Sequence, residues 1–233
     1  MLSCHFFWGA LMSSPRRLMR RGLLLLGAVL LPAAAQAHPH GWIDLSVRVI
    51  LDDQGRVEAL HQRWRMDPFY SLVLLEELGR AEGDESMEAR LDQLGLEIRD
   101  TLAPQGYFTE LSLDGDALAL GEVSEYTVME RGGRVEFIFL LPLDEPRPLG
   151  EATLRYRVYD PTYYIEVVHE ADERAPREQA LVVSGDHDCE TRVLAADPDP
   201  AQVAEAARLD TDDQAPEGLG RYFAETGEVQ CRI

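Results

Sequence analysis

The sequence predicts an α+β domain: an antiparallel β-sheet or sandwich with a two-helix insertion and an acidic, partly helical C-terminal tail. Three observations predict it. Apolar and polar residues alternate with period two before residue 67 and again after residue 106, as half-buried strands require. Between those runs lie two stretches with apolar residues at helical spacing. Turn residues punctuate the strand-like runs, above all Asp52-Asp53-Gln54-Gly55 and Gly132-Gly133. Strands, a helical insert and more strands form the order of an α+β domain, not a βαβ alternation.

The first 37 residues read as an export signal. Arg16, Arg17, Arg20 and Arg21 precede the apolar run Leu23 to Leu31, and Ala35-Gln36-Ala37 supplies the small-residue pattern after which signal peptidase cuts. The run is too short for a stable membrane span. Arg20-Arg21 resembles a twin-arginine signal, but the strongly apolar core favours the general secretory route. Cleavage between Ala37 and His38 leaves a domain over 38–195 and an acidic extension over 196–233. The 233-residue chain has 22 basic and 42 acidic residues, a net charge of −20. With four arginines lost in the leader, 18 remain against 42 acids, a net charge of −24. Such a surface repels nucleic acid and anionic lipid. Cys4 leaves with the signal. Cys189 and Cys231 remain as an even pair in an oxidising compartment and are expected to form a disulfide that ties the extension back. Closing that loop stabilises by about 4 kcal/mol in the chain-entropy model.

The first strands form a hairpin. If Asp52-Asp53-Gln54-Gly55 is its loop, position 51 faces 56, Ile43 faces Trp64 and Val47 faces Leu60. The other face then carries His40, Trp42, Asp44 and Ser46 beside His61, Arg63 and Arg65, with Asp44 opposite Arg63 and diagonal to His61. Asp67-Pro68 opens a helix as N-cap and N1, and Phe69, Leu72, Val73 and Leu75 read as its core stripe. A second helix over Glu85 to Leu102 places Met87, Leu91, Leu94 and Ile98 on one face. Strands follow over Tyr107 to Leu113, Glu122 to Glu130, Arg134 to Leu143, Thr153 to Tyr159 and Tyr163 to His169. Asp160-Pro161-Thr162 makes a hairpin or sharp corner between the last two, with Asp160 bonding to nearby backbone N–H groups. Leu181 to Val183 and Thr191 to Leu194 read as short strands, and Pro198 to Leu209 and Leu219 to Ala224 as helices.

His38-Pro39-His40 is the segment with chemistry to offer. A freed α-amine, pKa about 7.7–8.0, and the His38 imidazole chelate one metal ion together, and His40 adds a third nitrogen. Pro39 has no N–H to lose, so the site is amine plus imidazoles and not a square of backbone nitrogens. The competing reading is two exposed polar residues at a frayed terminus. His61 and Asp44 are further candidate ligands. Zinc, nickel and copper all suit imidazole. No G-x-S-x-G or H-E-x-x-H motif points to hydrolysis.

These segments also resemble a family. His38-Pro39-His40, Trp64 with Asp67-Pro68-Phe69-Tyr70-Ser71 leading to Leu74-Leu75-Glu76, Tyr107-Phe108-Thr109, and Tyr159-Asp160-Pro161-Thr162-Tyr163-Tyr164 are similar to a bacterial domain-of-unknown-function family. Its members are described as the periplasmic component of an uncharacterised ABC-type transport system, often beside zinc, nickel or cobalt transporters. The resemblance covers His38 to Cys189. It implies a periplasmic metal-binding accessory protein that serves a membrane metal permease or ABC-type transporter. Gly79 to Glu85 lacks the D-x-D-x-D-G order that calcium needs in this position of other members. About 196 mostly β-patterned residues also cannot build the two α/β lobes of a solute receptor. Two alternatives stand. One is a non-catalytic module docking on a permease. The other is a copper-brace oxidative enzyme, which an N-terminal histidine resembles, with Tyr163 or Tyr164 as axial ligand.

Overall fold

A computed structural model describes residues 39–172, 175–185, 187–210, 213 and 215–232. The strands in chain order are β1 (Gly41–Leu51), β2 (Arg56–Met66), β3 (Thr109–Leu113), β4 (Asp116–Ala117), β5 (Glu125–Arg131), β6 (Arg134–Pro148), β7 (Thr153–Val158), β8 (Ile165–His169), β9 (Ala171–Asp172), β10 (Ala175–Pro176), β11 (Leu181–Val183), β12 (Asp188–Leu194) and β13 (Thr226–Arg232). The helices are α1 (Pro68–Arg80), α2 (Met87–Leu102), α3 (Pro200–Ala206) and α4 (Gly220–Phe223). Among the described residues, β11-β1-β2-β6-β5, with β8 also on β1, form a six-stranded sheet. A five-stranded sheet runs β12-β13-β7-β3-β4.

One core joins the two sheets. Leu45, Val47, Trp64, Phe137 and Phe139 of the first meet Leu111, Leu154, Tyr156 and Val229 of the second. The fold is therefore the expected α+β sandwich with a helical insertion. α2 packs on β5, and Gly95 is where they approach most closely: a Cβ there would lie 3.1 Å from Tyr126 and Val128. Ser86 caps α2, its hydroxyl accepting from Ala89 N.

The first hairpin keeps its faces but shifts its register by two. Ile43 pairs with Met66, Leu45 with Trp64 and Val47 with Gln62. The turn closes one residue later than expected, with Asp52 N donating to Arg56 O at 3.0 Å and Gly55 at φ +70°. A bulge between Ile50 and Leu51 adds the second residue. An even shift leaves every side chain on its own face. The cross-strand neighbours change, however: Asp44 faces Arg65 instead of Arg63, and His61 faces Arg48.

Two further expectations change, and of the two turns weighed for the 160–162 segment one is found. The 160–164 segment is a corner, not a hairpin, because β7 lies in the second sheet whereas β8 runs parallel to β1 in the first. The acidic extension ends in β13, which pairs with β12 and β7 inside the second sheet, so it belongs to the domain core. α1 does not bury its predicted stripe. Phe69 is 74% exposed and Leu72 54%, while Ser71 is buried and Leu74, Leu75 and Leu78 touch the core. The Cys189–Cys231 bridge is present and joins β12 to β13 at a directly paired position.

Candidate functional site

Several of the segments that carry the family resemblance build the interior. Trp64 Nε1 donates to Gln62 Oε1 at 2.8 Å, Gln62 Nε2 donates to the Thr109 hydroxyl at 3.0 Å, and that hydroxyl donates to Tyr107 O at 2.8 Å. These buried polar groups satisfy one another, as interior groups must. Tyr107 and Phe108 both take positive φ, which bends the chain from α2 into β3. Asp160 does similar work at the sheet-switching corner. Its Oδ1 accepts from Thr162 N and the Thr162 hydroxyl, and its Oδ2 accepts from Tyr164 N and Ile165 N at 3.1 Å each. The expected backbone-bonding turn is there, and it aims Tyr164.

What remains converges at one end of the first sheet. His40 N donates to Tyr164 O at 2.8 Å, and the His40 and Tyr164 rings stack with centroids 4.4 Å apart. Asp67 N donates to Trp42 O, which ties the start of α1 to the start of β1. Asp67 Oδ1 caps the helix by accepting from Phe69 N and Tyr70 N at 2.9 Å each. Gly41 permits this approach, since a Cβ there would lie 2.7 Å from Asp67 Oδ2. The result is a groove of about 300 Å³, lined chiefly by His40, Trp42, Asp67, Phe69, Tyr70 and Tyr164. Its rim is aromatic and exposed, which folding alone does not require.

The family described as "Protein of unknown function (DUF1007)" matches residues 23–231. The chain belongs to the DUF1007 family. A protein of Haemophilus influenzae described as uncharacterized is 24% identical over 216 residues, which is 91% of this chain and all of that one. No solved structure matches the chain.

In this DUF1007 domain the candidate ligands do not gather. Ala37 and His38, the expected cleavage pair, lie outside the described residues. Asp44 is committed to Arg134, whose Nη1 donates to it at 2.6 Å. Arg63, its expected partner, pairs with Glu170 instead. His61 sits across from Arg48, and burial first and that cation second hold its imidazole below the ordinary histidine value. Of the two tyrosines weighed as axial ligands, Tyr164 lies beside His40, while Tyr163 stacks on Phe223 at 4.2 Å. Burial, and then Glu166, push the Tyr163 phenol up to about 12. No group of three or more His, Cys, Asp or Glu side chains positioned to hold a metal occurs among the described residues. Among the described residues, His40 is the candidate ligand that the structure places at the groove.

A buried chain between the sheets has no counterpart in the sequence reading. The Tyr156 hydroxyl lies 2.6 Å from His169 Nε2, and His169 Nδ1 lies 2.8 Å from Glu225 Oε2, which also accepts from His169 N. Burial holds the Tyr156 phenol well above its ordinary range, so it keeps its proton. Burial raises the Glu225 carboxyl, but the bonds from His169 outweigh it and leave the group below its ordinary value. Glu166 is pushed up by burial and by neighbouring Glu225. His169 and Tyr156 are buried and bonded to one another, so this chain fastens Glu225, just before β13, to the first sheet. The period-two pattern puts His169 in a strand, but its partner is 56 residues away and no local signal names it.

Proposed function

We propose that this protein is an exported accessory protein of a transition-metal transport or homeostasis system. It takes zinc, nickel or copper at its mature N-terminus, through the His38 amine and imidazole and the His40 imidazole. One observation carries the reading: His40 is held in place by the fold. The backbone bond and ring stack between His40 and Tyr164 fasten that imidazole at the groove, which removes part of the ordering cost of binding. The donor set fits such an ion: imidazole and amine nitrogens suit zinc, nickel and copper. Before cleavage the His38 nitrogen is an amide and a poor ligand, so processing creates the site.

The test is titration of zinc, nickel and copper into three proteins: the processed chain, the same chain with one extra residue before His38, and His40→Ala. The processed protein is expected to bind at least about tenfold tighter than either variant, about 1.4 kcal/mol. Its affinity rises through pH 6 to 8, roughly, as imidazole and amine lose their protons. Equal affinity in the extended protein removes the terminal amine from the site.

The exposure of Phe69 and Leu72 favours a second role for the same end of the molecule, docking on a membrane permease. If the permease still co-purifies with the protein after both histidines are changed to alanine, docking does not depend on the metal site. If it is lost, the metal and the contact are coupled.

A further inference from the structure

We infer that the outer face of the first sheet carries a binding site for a small anion bearing carboxylate or phosphate groups, centred on Arg48 and His61. Two neighbouring rungs of the β1–β2 hairpin make it: Ser46 pairs with Arg63, and Arg48 pairs with His61. Paired side chains on one face stand about 5 Å apart at Cβ, so the four form one compact patch. Gln179 and Val182 wall it on the β11 side, where Val182 is the register partner of Arg48. The groove between them holds about 420 Å³.

The protein itself shows what this arginine row attracts. Glu170, 8% exposed, is drawn over the neighbouring rung: Arg63 donates to it, the Ser46 hydroxyl donates at 3.2 Å, and Arg177 Nη1 donates at 2.8 Å. Charge-assisted bonds of this kind are the strong ones. One rung further on, Arg48 has no ion-pair partner among the described residues. Arg63 spends only Nη2 on Ser46 and Glu170, which leaves its Nε–H and Nη1 donors for the groove. A chain with 42 acidic residues against 22 basic ones could have supplied a carboxylate at Arg48, as it does at most of its arginines. Here it supplies an open groove instead. Burial is the larger cause of the depressed His61 imidazole, and the Arg48 cation across the rung adds to it, a sign of positive potential in the groove. That potential also argues against a metal cation at His61.

The ligand is defined by donors that are planar and forked, which suit carboxylate and phosphate oxygens. The experiment titrates inorganic phosphate and, separately, citrate into the processed protein at low ionic strength, read by calorimetry and by the NMR signals of the His61 ring. Saturable binding of at least one is expected, with His61 ring shifts that saturate in step. Arg48→Gln and His61→Gln should each weaken it roughly tenfold or more, whereas Arg147→Gln, an exposed arginine elsewhere on the surface, should leave it unchanged. Binding of phosphate alone identifies a phosphate-type ligand, and binding of citrate identifies a carboxylate ligand. No saturable binding of either, or binding that both groove variants leave intact, overturns the inference. The outcome is independent of the metal titration, because neither anion requires His38 or His40.

Discussion

The two helices of the insertion look alike in sequence and behave differently in the fold. Both are capped by a side chain, Asp67 for α1 and Ser86 for α2, and both are rich in leucine. α2 buries Leu91, Gly95 and Leu102, and packs against β5. α1 buries Ser71 alone, and its Leu74, Leu75 and Leu78 are only partly covered. Its opposite face keeps Phe69, Leu72 and Val73 in solvent. The solvent side of a helix is ordinarily polar. α1 carries Glu76, Glu77 and Arg80 on that side but leaves Phe69, Leu72 and Val73 there as well, beside the groove that holds His40.

The largest test of this contrast lies in α2. Leu91 is 6% exposed and belongs to the common core. Leu91→Ala should destabilise the domain by about 2–4 kcal/mol, through lost transfer energy and an imperfectly filled cavity. The shift in urea midpoint measures it. A loss under about 1 kcal/mol would mean that the insertion folds apart from the sandwich and that the α1 surface reports nothing about the whole molecule.

A smaller effect is expected where α1 begins. Asp67 accepts from two backbone N–H groups, and its own N–H holds Trp42. Asp67→Ala leaves the first-turn donors unsatisfied and should cost about 1 kcal/mol. Because the cap also seats α1 against Gly41, the same change should weaken metal binding at the terminus by more than its stability cost explains. Asp67→Asn, which retains an accepting oxygen, should restore most of the stability. If Asp67→Ala loses stability and leaves metal affinity untouched, the groove and the terminus are independent.

The sequence made some of this legible and hid the rest for identifiable reasons. Local chemistry was readable: the Asp67 cap, the Gly132-Gly133 hairpin, the backbone bonds of Asp160, and the Cys189–Cys231 pair. Long-range partners were not. Asp44 finds Arg134 across 90 residues, and His169 finds Glu225 across 56. The register of the first hairpin depended on the closure of its turn and on a bulge that no residue announces, and with them the residue across from His61 changed from Ser46 to Arg48. β13 was missed because Gly227, Val229 and Cys231 alternate weakly at the end of an acidic stretch. Period and composition identify α1 as a helix with apolar residues. They do not say which apolar side meets the core, since that depends on where β6 and α2 lie.

The smallest expected effect on stability is the most informative about function. Phe69→Ser together with Leu72→Ser removes large apolar groups from positions already mostly in water, so the transfer energy lost on folding is small. Stability should change by no more than about 0.5 kcal/mol, the range of ordinary surface substitutions. Metal affinity should also hold, because neither residue supplies a ligand. Co-purification with the proposed permease partner should fall sharply, since buried aromatic and aliphatic anchors dominate such contacts. The pattern separates three accounts of α1. Loss of stability would place this face inside the molecule. Loss of metal binding alone would make the rim a wall of the metal site. Loss of the permease alone, with stability and metal affinity intact, is what a docking surface requires, and the difference between α1 and α2 would then be the difference between a face made for a partner and a face made for the core.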